Sequence, residues 1–313
     1  MNKYFIFLMF LSLSFLGVVK AEEKNKTILV AVVDTGIDHK SSPYPNRIII
    51  NIDGQKTKFD SLTDNHDPGH GTHVAHTILD RTNSNVKIVP YKLFDYSGEK
   101  NRLTVKIKED TKLEPLYKKV IENVVKNKVK IVNISGGYNT YNEDDYEAFK
   151  EAKDTLFVVA SGNYVLYVDE KKNVPEDLDK YFIASRASKN HTFYNKYQYN
   201  FYPCAYRLEN VICVGDAISN PKTDEFRVLS NYGSFFVDVF ANGEDVSAMG
   251  VGGKKVTMSG SSMAVPKITA VFANEWSKDQ SLSIEELKNK VFKQFKTEPF
   301  YKKCSRFGYY LSE

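Results

Sequence analysis

Apolar residues recur along this chain as short unbroken runs, with helix-spaced segments between them. Residues 28–33 are six consecutive apolar side chains, four of them β-branched. Such a run predicts a strand buried on both faces, as in a parallel sheet. Similar runs follow at 129–134, 156–160 and 211–214. Residues 72–79 place Val74, Ala75, Ile78 and Leu79 on one helical face, and 113–126 gather Leu116, Val120, Ile121, Val124 and Val125. Residues 145–153 predict a shorter, more polar helix. Another spans 263–276, with Pro266 expected in its first turn, where a missing N–H costs nothing. A last helix starts at Ser283, where Glu286 completes a capping box. Strand–helix alternation of this type predicts one α/β domain, a parallel sheet with helices on both faces. Residues 164–200 are rich in Tyr, Asn, Lys and Asp without clear periodicity, and read as an irregular surface insertion in that domain.

The amino-terminal pattern differs. Lys3 precedes a nearly all-apolar stretch at 4–19, and Val19-Lys20-Ala21 ends in a small-x-small motif. This predicts an export signal at 1–21 cleaved after Ala21, leaving 22–313 as the domain. The apolar run is about 16 residues, short of the roughly 20 that span a bilayer. A formal charge of +4 with dispersed lysines gives no reason to expect nucleic acid. In an exported chain Cys204 and Cys213 are the expected disulfide. Pairings of either with Cys304, or three unpaired thiols, stay open.

Ligands of such sheets sit at the carboxyl ends of strands. Asp34 stands at one such end, Asn163 just past another, and Ser135-Gly136-Gly137 after a third. A carboxylate ending an apolar strand needs a hydrogen-bond donor, and His70, flanked by Gly69 and Gly71 at the start of a helix, is a suitable one. Ser262 precedes a helix, where free amides and the dipole favour a developing negative charge. Taken singly, each has a plainer reading: Ser262 an N-cap, Asp34 a turn cap, Asn163 a Gly-Asn turn. Together they supply nucleophile (Ser262), base (His70), orienting anion (Asp34) and oxyanion donor (Asn163) in the order Asp, His, Ser. His70, His73 and His76 turn around a helix axis instead of stacking, with no acidic residue interleaved, so no metal site is expected there. Asp60, Asp64 and Asp67 read as a solvated acidic loop, not a calcium site.

The segments Val-Val-Asp34-Thr-Gly-Ile-Asp, Gly-His70-Gly-Thr-His-Val-Ala, Ser-Gly-Asn163 and Gly-Ser-Ser262-Met-Ala-Val-Pro closely resemble the subtilisin-like serine peptidases, the subtilases. Weaker matches carry the resemblance from about residue 28 to 276. It implies a doubly wound sheet, a triad of Asp34, His70 and Ser262, Asn163 in the oxyanion hole, and an extended peptide bound as a strand beside Ser135-Gly136-Gly137. The chain departs from the family in several places. Gly136 replaces a larger apolar residue, which widens a subsite. Segment 80–89 lacks the family's calcium-binding loop. The span between Ala21 and Asp34 is shorter than a usual propeptide. The expectation is a monomeric exported endopeptidase acting on polypeptides, with no cofactor, no nucleic acid partner and no stable membrane association after signal cleavage. Two other readings stay open: a catalytically silent binding protein on this fold, and a metal-dependent hydrolase.

Overall fold

The computed structural model describes residues 27–50, 52, 64, 68–94, 115–163, 200–220, 225–297 and 301–311. The expected signal at 1–21 and nearly all of the insertion at 164–200 lie outside the described residues.

Each apolar run becomes a central strand. In chain order the runs give β1 (Ile28–Asp34), β3 (Ile131–Ile134), β4 (Leu156–Ala160) and β5 (Val211–Asn220), and β2 (Val86–Lys92) is added at the end of the sheet path beside β1. The later strands are β6 (Glu225–Val228), β7 (Val239–Ala241), β8 (Val246–Met249), β9 (Lys255–Met258), β10 (Lys296–Thr297) and β11 (Tyr309–Leu311). The main sheet runs β10-β11-β7-β5-β4-β3-β1-β2, with β6 added antiparallel to β5. All its pairs from β11 to β2 are parallel, and β10 is antiparallel to β11. β8 and β9 form a separate hairpin.

β2 was not anticipated from the periodicity. Pro90 interrupts its pattern, and a proline that cannot donate to a ladder is tolerated because β2 ends the sheet path. β5 runs six residues beyond the expected end at Val214. Its continuation carries Asp216, buried but accepting from the Gly243 amide at 2.7 Å.

The helices are α1 (His70–Leu79), α2 (Lys118–Lys126), α3 (Glu143–Glu151), α4 (Ser261–Lys278) and α5 (Ile284–Phe292). One apolar cluster joins a sheet face to α1, α4 and α5 around Ile78, Ile268, Phe272 and Trp276. The other joins the opposite face to α2 and α3 around Tyr117, Val124, Phe149 and Phe157. The expected two-faced layering is therefore present. α3 starts two residues earlier than the periodicity indicates, because Asn142 caps it by accepting from the Asp145 amide. α2 starts at Lys118 and has no side-chain cap of its own. Asp145 of α3 takes that part, accepting from the amides of Leu116, Tyr117 and Lys118 at 2.8–2.9 Å. The capping box of Ser283 and Glu286 opens α5 as expected. Among the described residues no helix is long and apolar enough to cross a membrane.

Cys204 and Cys213 form the disulfide, and buried Cys304 takes no part in it. Beside it, Asp238 is buried and accepts from the Cys213 amide at 2.8 Å. Burial pushes its carboxyl up to about 6, against the Cys213 hydrogen bond and the charges of Lys288, Arg306 and Arg207. The folded protein therefore holds this proton at pH values where the unfolded chain has released it. The contribution to stability is complete below about pH 4 and is lost as pH rises to about 6, by up to ~3 kcal/mol. Denaturant unfolding between pH 4 and 7 should show this loss in the wild type, and Asp238→Asn should remove it.

Candidate active site

Asp34 closes β1 and is 1% exposed. Its Oδ1 accepts from the Thr35 amide at 2.8 Å and from His70 Nδ1 at 2.7 Å. An ionised carboxylate only accepts, so Nδ1 carries the proton and Nε2 presents a lone pair. His70 is the first residue of α1, whose N-terminus lies close against the end of β1. A Cβ on Gly71 would collide with the Gly36 carbonyl and sit 3.0 Å from Asp34 Cβ, so only glycine permits this approach. The Gly71 amide donates to Thr35 Oγ1 at 2.9 Å, which fixes the junction.

Burial alone would depress the His70 imidazolium. The Asp34 charge and hydrogen bond, with Asp64 behind, outweigh it and hold its pKa above the ordinary imidazole value. Asp64 corrects the expectation of a solvated acidic loop. It is 1% exposed, and its Oδ2 accepts from both the amide and hydroxyl of Thr72 at 3.0 Å, capping α1 from outside the helix. Asp60 and Asp67 lie outside the described residues. No periodic signal singles out Asp64. Its distance from the helix start is unlike that of an ordinary N-cap.

Ser262 is the second residue of α4, whose first-turn amides have no partners within the helix. The helix starts two residues before the expected 263, so Pro266 lies in its second turn and not in its first. Its missing N–H deprives the Ser262 carbonyl of an intrahelical donor. Ser135 replaces that donor: Ser135 Oγ donates to Ser262 O, and Ser262 Oγ donates to Ser135 O, both at 2.9 Å. This exchange lets the proline sit where it does. It also turns the Ser262 hydroxyl toward Ser135, and among the described residues no hydrogen bond joins it to His70.

Asn163 lies three residues beyond β4. Its Oδ1 accepts from the Ser261 amide at 2.8 Å and the Ser261 hydroxyl at 2.7 Å, which leaves Nδ2 as a donor beside the start of α4. Ser135, Gly136 and Gly137 follow β3. Gly136 faces the Phe94 ring, and Gly137 packs on Phe201 and the Tyr202 carbonyl. Among the described residues the backbones of Gly136 and Gly137 make no hydrogen bond. The other α1 imidazoles have different partners. His73 Nε2 bonds Val246 O at 2.9 Å, with burial depressing it to about 4. His76 bridges Ser42 Oγ and Thr72 O. Among the described residues no three His, Cys, Asp or Glu side chains are grouped to hold a metal.

The structure of the subtilase cytotoxin SubAB assembly superposes with a TM-score of 0.66, covering 92% of this chain and 87% of that one at 19% identity. Likeness at that identity shows the fold: a subtilisin-like α/β sheet in one domain. In sequence, the chain is 29% identical over 77% of its length to an alkaline proteinase of Hapsidospora chrysogena, of which it spans 50%. It is 28% identical over 89% of its length to an intracellular serine protease of Paenibacillus polymyxa, of which it spans 72%. A model of the subtilase family matches residues 25–309, nearly the whole described chain, and by that match the chain belongs to the subtilase family.

Proposed function

We propose that this chain is an exported serine endopeptidase in which Asp34, His70 and Ser262 form the triad and Asn163 stabilises the oxyanion. The observation that carries the reading is the 2.7 Å bond from His70 Nδ1 to buried Asp34, at the carboxyl rim of the sheet where Ser262 starts α4. The bond sets the tautomer a general base needs. For the reaction Ser262 Oγ leaves the Ser135 carbonyl and turns its hydroxyl to His70 Nε2. Nε2 takes the hydroxyl proton as Oγ attacks the scissile carbonyl, and the amides of Ser262 and Asn163 face the resulting oxyanion. His70 then protonates the leaving amine, and water hydrolyses the acyl-enzyme by the same route. Among the described residues the backbones of Gly136 and Gly137 are unpaired, which supports a peptide bound there as an added strand.

A fluorophosphonate probe applied to the secreted full chain should label Ser262 and no other serine. A folded protein left unlabelled would sink the proposal. N-terminal sequencing of the same material should begin at Glu22. One observation favours the silent binding protein instead, namely the Ser262 hydroxyl bonded to Ser135 and not to His70. That reading predicts neither labelling nor digestion of casein.

A further inference from the structure

The oxyanion donor stands on a segment that is itself held by a residue from elsewhere in the chain. Asn231, in the connection between β6 and β7, is 1% exposed. Its Nδ2 donates to the Ser161 carbonyl at 2.7 Å, its amide donates to the Gly162 carbonyl at 2.8 Å, and its own carbonyl accepts from Ser161 Oγ at 3.1 Å. One residue thus fixes both peptide carbonyls that precede Asn163. Gly162 adopts φ +91°, and a Cβ on it would lie 2.6 Å from Asn231 Nδ2. The left-handed turn and the side-chain amide of Asn231 therefore fit each other closely. From Ser161 the connection continues through Asn163 Oδ1 to Ser261 and so to the start of α4.

We infer that Asn231 is a positioning residue for the reaction: by clamping Ser161 and Gly162 it sets where Asn163 Nδ2 points. This rests on the proposed role of Asn163. Asn163 is itself exposed, and among the described residues its side chain is tied through Oδ1 alone, so the direction of its donor depends on a fixed Cα. Preorganised donors act because they need no rearrangement as charge develops. A segment free to rotate loses that advantage without losing its affinity for the ground-state peptide.

The test is a double-mutant cycle on the full chain with a chromogenic peptide, reading kcat and KM separately. Asn231→Ala should lower kcat by roughly ten- to a hundredfold, within the 10²–10³ that loss of a whole donor costs in a subtilisin. KM should change by less than about twofold. In an Asn163→Ala background the same change should cost less than about threefold, because its route of action is already gone. A purely structural role would lower activity equally in both backgrounds, and that additivity would overturn the inference, as would an effect confined to KM. Should Asn231→Ala fail to fold, Gly162→Ala disturbs the same contact from the other side and runs through the same cycle. If the wild type is active while Asn163→Ala keeps full kcat, the oxyanion role fails and the inference with it, though the peptidase reading stands. If the wild type has no peptidase activity, both fall.

Discussion

Ser262→Ala should reduce kcat for peptide hydrolysis by about 10⁶, the loss known for the nucleophile of a subtilisin. The change removes the proposed nucleophile, yet it leaves the fold largely intact. Ser135 Oγ still donates to the Ser262 carbonyl, so the start of α4 keeps its attachment to the end of β3. KM should therefore stay within a few-fold of wild type. His70→Ala should cost a similar factor, and the double variant little more than either alone, because nucleophile and base act as one unit. Initial rates on a chromogenic peptide, with circular dichroism to confirm folding, check all three. A Ser262→Ala protein retaining more than about one per cent of activity would place the chemistry elsewhere.

Asp34→Asn should cost on the order of 10⁴ in kcat. An amide at position 34 can donate to His70 Nδ1, which favours the tautomer with its proton on Nε2, the wrong nitrogen for a base. The pH profile adds a second readout. In the proposed mechanism His70 is a base only when neutral, so activity should disappear as pH falls through its pKa. In the wild type the Asp34 charge and hydrogen bond, aided by Asp64, hold that pKa above the ordinary imidazole value. Removing the Asp34 charge leaves burial, which pushes the other way. The acid limb of kcat/KM should accordingly move to lower pH in the variant even though the plateau is far lower. An unmoved acid limb would show that Asp34 does not tune the group being titrated.

The central strands were legible because burial on both faces leaves its mark as an apolar run, unbroken in β1 and β4 and interrupted only by buried Asn133 in β3. β2 was not, since Pro90 and Lys87 disturb the run and an edge position imposes weaker demands. The bond between Asp34 and His70 could be anticipated from chemistry, because a carboxylate ending such a strand has to find a donor. Asp64 and Asn231 left no such trace. Each serves a backbone group far away in sequence, and no local spacing encodes that. Pro266 was misplaced for a related reason. Position rules for proline assume that the freed carbonyl goes unsatisfied, whereas here the hydroxyl of Ser135, from another element, satisfies it.

The Ser135–Ser262 exchange also has a mechanical consequence. The strand end that would receive the peptide and the helix that would deliver the nucleophile are joined by two reciprocal bonds, and the one from Ser135 Oγ to the Ser262 carbonyl persists when the Ser262 hydroxyl turns to His70, so neither element drifts without the other. In the proposed enzyme, recognition and attack therefore share one rigid frame. Gentle heating should extinguish inhibitor binding and turnover over the same few degrees, without an interval in which the cleft still grips a chain it can no longer cut.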